Sequence, residues 1–198
     1  MNTQEFWSGD FGDEYTKRNR VNWRARIPFW DRIVQMTGIR SAFEVGTNAG
    51  WNLSAIKQSI YGWPVNVEGI DVNPVAVRQA QKAGLNVYLV GAENTPTFDE
   101  NDQFDLVFTS GGLIHVAPDE LPKMMQDISD LSCDYVLAIE YDAEVETEVE
   151  YRGHQGKLWK RPYGKLYEAM GLTLVETGLL GEKDGFDPNG VTYWLLRK

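Results

Sequence analysis

The sequence predicts an α/β protein: a mostly parallel sheet, helices on both of its faces, and an antiparallel hairpin at the C-terminal end. Three observations predict it. From residue 41 to residue 141 short β-rich runs alternate with segments of helical spacing, the pattern of strands joined by crossover helices. After residue 171 that rhythm breaks, because two β-like runs flank the turn-rich "GEKDGFDPNG", which has no helical period. The chain has 198 residues, enough for one domain with its own core at ~100–200 residues per domain.

The segment up to about Thr37 predicts two helices, the second carried by the amphipathic spacing of "IPFWDRIVQM". "SAFEV" (Ser41–Val45) reads as a buried strand ending at Gly46, and "NLSAIKQSI" follows with helical spacing. "VNVEGID" (Val65–Asp71) is the second strand. "NPVAVRQAQKAG" carries a helix start and stop, with Asn73 as N-cap, Pro74 at the first position and Gly84 just past the end. "NVYLV" (Asn86–Val90) and "FDLVFTS" (Phe104–Ser110) are the third and fourth strands, "PDELPKMMQDISDL" a helix and "DYVLAIEY" (Asp134–Tyr141) the fifth strand. "LTLVETGLL" (Leu172–Leu180) and "VTYWLLRK" (Val191–Lys198) form the hairpin. "AEVETEVEY" alternates with period two, Val145, Thr147, Val149 and Tyr151 against Glu144, Glu146, Glu148 and Glu150, which predicts a half-exposed strand.

The bulk numbers exclude several classes. A net charge of −10 disfavours nucleic-acid binding, which needs basic surface to displace counterions. The one cysteine, Cys133, excludes an internal disulfide and a cysteine-based zinc site. Two isolated histidines make a poor metal site, so no metal is expected. No apolar run reaches ~18 residues, and the start has neither a charged n-region nor an apolar h-region, so a cytoplasmic protein without a membrane span is expected.

In open α/β sheets, ligands bind beyond the carboxyl ends of the strands, where the strand order reverses. The first strand and its turn read "FEVGTNAGWNL", with Glu44 just inside the strand end and Gly46 and Gly50 allowing a sharp turn. Asp71 ends the second strand, where it can accept from a ribose diol. Ala92 and Glu93 follow the third, and "TSGGLIHV" the fourth. Each alone has a plain structural use, Asp71 as a strand-end cap and Ser110–Gly112 as a turn; their combination points to a nucleoside. A dinucleotide wants G-x-G-x-x-G facing pyrophosphate. The turn here is G-T-N-A-G, with Asn48 where a second glycine would stand. S-adenosylmethionine has no phosphate and suits a turn with fewer glycines beside an acid.

"FEVGTNAG", "GIDVNP", "VGAEN" and "FDLVFTSGGLIHV", in that order and with the final hairpin, resemble the class I S-adenosylmethionine-dependent methyltransferases. "WSGDFGDEYTKRN" and "YRGHQGKLWKRPYGKLYE" resemble more particularly the methylases associated with pseudaminic acid biosynthesis, a surface-sugar pathway. The resemblance implies a Rossmann-like, seven-stranded fold in a single domain: a helical cap over residues 1–40, a cofactor-binding core over 41–140, an insertion or lid over 141–165, and the last helix and hairpin over 166–198. It implies that Glu44, Gly46, Thr47, Asn48 and Gly50 hold the methionine end, that Asp71 takes the ribose with Val72 against the adenine, and that Ala92 and Glu93 meet the adenine edge. Ser110 and Gly111 would lie under the sulfonium, with Tyr15 as the cap's contact.

"YRGHQGKLWKRPYGK" holds five cations and no acid, whereas "EYDAEVETEVE" just before it holds six acids and no cation. An insertion at that point hangs over the carboxyl ends of the strands. Arg152, Lys157, Lys160 and Arg161 are therefore expected to hold an anionic small-molecule acceptor, such as a sugar or nucleotide sugar. A solvated loop paired with the neighbouring glutamates is the plainer alternative. His115 and His154 are the candidate bases, with a packing role the alternative for His115 and anion binding for His154. Two other functions stay open: a nucleic-acid methyltransferase, against which stands the absence of an Asn/Asp-Pro-Pro-aromatic pattern after the fourth strand, and a non-catalytic S-adenosylmethionine-binding protein of the same fold.

Overall fold

A computed structural model describes residues 3–19, 21–59, 63–91 and 103–198. Five strands run parallel: β1 (Ser41–Val45), β2 (Asn66–Asp71), β3 (Asn86–Leu89), β4 (Phe104–Ser110) and β5 (Ser132–Glu140). Two short strands, β6 (Thr147–Glu148) and β7 (Trp159–Lys160), pair with each other outside that sheet. The final hairpin, β8 (Thr173–Leu180) and β9 (Val191–Arg197), joins it antiparallel through β9 and β5. The order β3-β2-β1-β4-β5-β9-β8 reverses between β1 and β4, which puts a crevice at the carboxyl ends of those two strands.

The core follows from strand alternation. Ala42, Leu106, Phe108, Leu137 and Ile139 face one apolar cluster, and their neighbours Phe43, Val107, Val136 and Ala138 face the other. Both faces are covered, so the central strands are apolar almost throughout. On the first face lie α3 (Ile27–Thr37), α4 (Trp51–Lys57) and α5 (Pro74–Lys82), through Trp30, Ile33, Leu53 and Val77. On the second lie α6 (Leu121–Leu131) and α7 (Tyr163–Ala169), through Met125, Ile128, Tyr163 and Tyr167. The caps of α5 form as the sequence indicates: Asn73 Oδ1 accepts from the N–H groups of Val75 and Ala76, both at 2.9 Å, and Gly84 takes φ 78° just past the end.

Two expectations are corrected. The N-terminal segment holds α1 (Thr3–Ser8) and α2 (Asp10–Arg18) ahead of α3, so it has three helices where the sequence predicts two; Gly9 takes an extended conformation and divides the first pair. Residues 143–151 do not form one half-exposed strand. Their ladder is the two-residue β6, extended by Val149 N–H to Leu158 O at 2.9 Å and a bridge from Tyr151 to His154. Val145 is 69% exposed, ahead of the two-residue ladder that β6 forms with β7. Period two is legible in such a run, but a strand also needs a neighbour of matching length.

Candidate active site

The turn after β1 is fastened to the end of β2. Gly46 and Thr47 both donate their N–H to Ile70 O, at 2.9 and 3.0 Å, and Asn48 N–H donates to Asp71 Oδ2 at 2.7 Å. Asn48 has φ 48°, the left-handed region that asparagine tolerates better than most residues, which explains how it stands where a glycine was expected. Gly46 faces Gly112 across the β1–β4 gap; a Cβ on Gly46 would still be 3.9 Å from the Gly112 Cα, so the strand ends leave room between them.

Under this turn runs a buried polar chain. Glu44, 1% exposed, accepts from Thr47 Oγ1 at 2.6 Å and from Asn52 Nδ2 at 2.7 Å. Asn52 Oδ1 accepts in turn from Arg26 at 2.8 Å and Trp30 Nε1 at 3.3 Å, and Arg26 Nε donates to Gly185 O at 2.9 Å. Burial pushes the Glu44 carboxyl up to about 7, against the opposing hydrogen bonds of Thr47 and Asn52. Glu44 therefore shapes the turn from below. Asp71 is buried too: Oδ1 accepts from Asn73 N–H at 2.8 Å, and the Val72 N–H also bonds the carboxylate, which leaves part of its accepting capacity for a ligand. Burial raises its pKa despite the backbone N–H groups that donate to it. Val72 is half-buried beside it. Ala92 and Glu93 lie outside the described residues.

The α1–α2 hairpin is bonded directly to these turns. Asn73 Nδ2 donates to Trp7 O at 3.0 Å and to Asp13 Oδ1 at 2.9 Å, and Asn48 Nδ2 donates to Thr16 Oγ1 at 3.2 Å. Gly12 sits at the contact, where a Cβ would collide with Trp7 O and come within 2.8 Å of Asn73 Nδ2. Tyr15, on α2 itself, has its ring 5.2 Å from Trp7 and its hydroxyl pushed up to about 12 by burial.

Opposite stands the loop after β4. Ser110 and Gly111 are half-exposed at the strand end, and Gly111 N–H donates to Ile139 O at 2.9 Å. His115 Nδ1 donates to Lys157 O at 2.6 Å, so Nε2 carries the lone pair. Its ring stacks 4.4 Å from Trp7 and 5.1 Å from Tyr151, and burial lowers its pKa to about 4. His154 is exposed and lies 5.0 Å from Phe6 and 5.5 Å from Phe11, on the rim of a 420 Å³ pocket shared with Glu5, Asp10 and Lys157.

The four predicted substrate cations divide. Arg152 is exposed on the turn, Lys157 lies over Phe6 at 5.2 Å, and Lys160 over Tyr141 at 5.6 Å. Arg161 does not reach the crevice mouth. It is 1% exposed, and its guanidinium donates to Glu146 at 2.7 Å, to Leu113 O at 3.1 Å and to Val116 O at 3.0 Å. Its donors are thus engaged within the protein, by two loop carbonyls, Glu146 and the Tyr163 hydroxyl at 3.3 Å, and not turned to solvent as the sequence reading expects. Sequence reasoning assigned nothing to Arg26, Asn52 or Glu140. The signal for Glu140 was present, as an acid closing the apolar run "VLAI". Among the described residues no group of histidine, cysteine or acid side chains could hold a metal, and no helix is long and apolar enough to cross a membrane.

Residues 42–132 match a family model described as a methyltransferase domain. No curated protein matches the chain by sequence. Among solved structures, the chain resembles magnesium protoporphyrin IX methyltransferase from Synechocystis PCC 6803 with bound S-adenosylmethionine, at TM-score 0.69 and 11% identity over 100% of this chain and 98% of that one. It resembles 1,6-didemethyltoxoflavin-N1-methyltransferase from Burkholderia thailandensis with S-adenosylhomocysteine, at TM-score 0.69 and 17% identity over 99% and 86%. A third likeness is the N-terminal domain of EvdMO1 in the presence of S-adenosylhomocysteine and D-fucose, at TM-score 0.58 and 13% identity over 88% and 83%.

Proposed function

Taking the chain as an S-adenosylmethionine-dependent methyltransferase, we propose that it transfers the methyl group to a small anionic acceptor, a sugar or nucleotide sugar of surface-polysaccharide synthesis. The crevice residues fit the cofactor. A Cβ placed on Gly46 would meet only the Gly112 Cα, at 3.9 Å, and Asp71 ends β2 beside that turn with part of its accepting capacity free. Gly46, Thr47, Asn48 and Gly50 would hold the methionine end on a turn that Glu44 orders. Asp71 and Val72 would hold the nucleoside, Ser110 and Gly111 the floor, and Tyr15 the roof. Bound there, the cofactor supplies a methyl group already activated by its sulfonium.

The protein's work is then placement, which can supply ~7–11 kcal/mol of a barrier. The observation that carries the acceptor reading is the seat of the basic turn. The bond from His115 to Lys157 O ties the basic turn to the β4 loop, with Lys157 over the Phe6 ring of the cap. The half-buried rings of Phe11 and Tyr151 suit a sugar's C–H surface, and the cations suit a phosphate or carboxylate. His115, neutral at ordinary pH, accepts the hydroxyl proton's hydrogen bond at Nε2, and His154 assists at the rim. The EvdMO1 domain, with D-fucose, and the pseudaminic-acid methylase resemblance favour a sugar. The net charge of −10 favours a small-molecule substrate over nucleic acid. The test incubates a panel of nucleotide sugars with methyl-labelled cofactor and reads products by mass spectrometry. A labelled sugar nucleotide is the expected result. S-adenosylhomocysteine binding with no sugar labelled overturns the acceptor, and no binding at all overturns the site.

A further inference from the structure

Glu140 closes β5, between β4 and β9 inside the sheet, and is fully buried. Its oxygens accept three successive backbone N–H groups, those of Gly112 and Leu113 at 3.1 Å and Ile114 at 3.2 Å. On the carbonyl side of the same loop Arg161, also buried, donates to Leu113 O and Val116 O. An anion thus takes the loop's donors and a cation its acceptors, the strong, charge-assisted form of each bond. Burying two charges is costly, and hydrophobic residues of the same volume would often serve stability as well. The geometry points instead to shape. The loop carries Ser110 and Gly111 at its entry and His115 near its end, and Gly112 abuts β1, where a Cβ would lie 3.4 Å from Val45 O. Arg161 further bonds Glu146, so the clamp also reaches the segment that leads to the basic turn.

We propose that Glu140, with Arg161, is a positioning residue for methyl transfer: together they fix the Gly112–Val116 loop so that His115 and the β4 end face the acceptor. This rests on the transfer reaction and not on the acceptor's identity. Burial raises the Glu140 carboxyl to about 7, its backbone donors opposing, so the clamp forms as pH rises through neutrality. The groups that face it are the hydroxyls of Tyr163 and Tyr167 from α7, both held protonated by burial and by Glu140, with Arg161 and the neutral His115 on the far side of the loop.

Two measurements test the proposal. In the wild-type protein, amide hydrogen exchange corrected for intrinsic rate should show the Gly112, Leu113 and Ile114 amides ~10-fold less protected at pH 6 than at pH 8, the scale of losing hydrogen bonds to a charged group. Amides on α5 should move the opposite way, losing protection toward pH 8 as ionisation of the buried glutamates lowers overall stability. Equal protection of the three amides at both pH values overturns the clamp, whatever the fate of any variant. The second measurement compares Glu140→Gln with the wild type, using whichever acceptor is found to take label from the cofactor. The turnover number should fall ~10- to 100-fold, as small misplacements do. S-adenosylhomocysteine affinity should stay within about 2-fold, and the pH dependence through 7 contributed by Glu140 should disappear while that of Glu44 remains. Arg161→Lys, which keeps charge and loses the fork, should show the same split. Unchanged turnover and pH profile, or cofactor affinity falling in step with turnover, overturn it.

Discussion

The two walls of the crevice are each organised by one buried glutamate, and they use it differently. On the β1–β2 wall, Glu44 bonds side chains, Thr47 and Asn52, and through Asn52 reaches Arg26 and the connection between β8 and β9 at Gly185. On the β4–β5 wall, Glu140 bonds three backbone N–H groups of one loop. The first arrangement ties distant segments of the chain together, and its loss is a loss of fold. The second sets the path of a single loop, and its loss is a loss of geometry. Both carboxyls are pushed up to about 7, mainly by burial, so the difference lies in their partners.

The largest effect expected from that difference is on stability. Glu44→Ala leaves the buried Arg26 guanidinium without its compensating charge and Thr47 and Asn52 without an acceptor, at a cost of about 3–5 kcal/mol in urea unfolding. Glu140→Ala should cost less, since water can enter beside the half-exposed Gly112 and satisfy N–H groups. Equal losses would erase the contrast between the walls. The pH dependence comes next. A carboxyl raised from 4.5 to about 7 in the folded protein contributes stability that is whole below 4.5 and is lost as pH rises through 7. Each glutamate should therefore lose on the order of 3 kcal/mol between pH 4 and pH 8. Glu44→Gln and Glu140→Gln should each gain on the wild type by about that amount over the same interval.

The β1–β2 wall was far more legible in the sequence than the acceptor side. Gly46, Asn73, Pro74 and Gly84 act on their own neighbours, so turn and cap chemistry reveals them. Asp71 ends its strand, and strand ends locate the crevice once the sheet is parallel. Arg161 illustrates what stays hidden. Its charge suggested a solvent-facing cation, but Leu113 and Val116, 48 and 45 residues away, decide its burial. The alternation of residues 143–151 misled for a related reason: it reports which side chains could share a face and says nothing of the strand that must pair with them. The hydrogen bonds of Glu140 run 26 to 28 residues back along the chain, beyond any local pattern.

A smaller effect separates cofactor binding from folding on the β1–β2 wall. Asp71→Asn retains one acceptor oxygen but turns an amide N–H₂ toward a backbone N–H, either that of Asn48 or that of Asn73. S-adenosylhomocysteine affinity, read by calorimetry, should fall ~10- to 100-fold, the range for hydrogen bonds to a charged group. Stability should fall by about 1–3 kcal/mol. A protein equally destabilised that still bound the cofactor at full strength would make Asp71 a turn residue, like Glu44, and not a ligand.

The smallest stability effect belongs to the basic turn, where the contrast between fold and function is sharpest. Arg152 is exposed, and its guanidinium lies 6.0 Å from the Tyr151 ring, a contact that weakens in water. Arg152→Ala should change stability by no more than about 0.5 kcal/mol, as surface substitutions do. Its left-handed backbone, φ 53°, does not alter this, because alanine and arginine are disfavoured there alike. If the turn holds the acceptor's anion, the same substitution should raise the acceptor KM ~10-fold, one charge-assisted bond's worth, and leave S-adenosylhomocysteine affinity unchanged. Arg161→Ala would make a poor control, since it breaks the loop clamp as well. Arg152 and Lys160 separate the two, because neither bonds that loop. An unchanged acceptor KM in both single variants would reduce the positive turn to a solvated face balanced against Glu148 and Glu150, and the anion would have to be held elsewhere on the crevice rim.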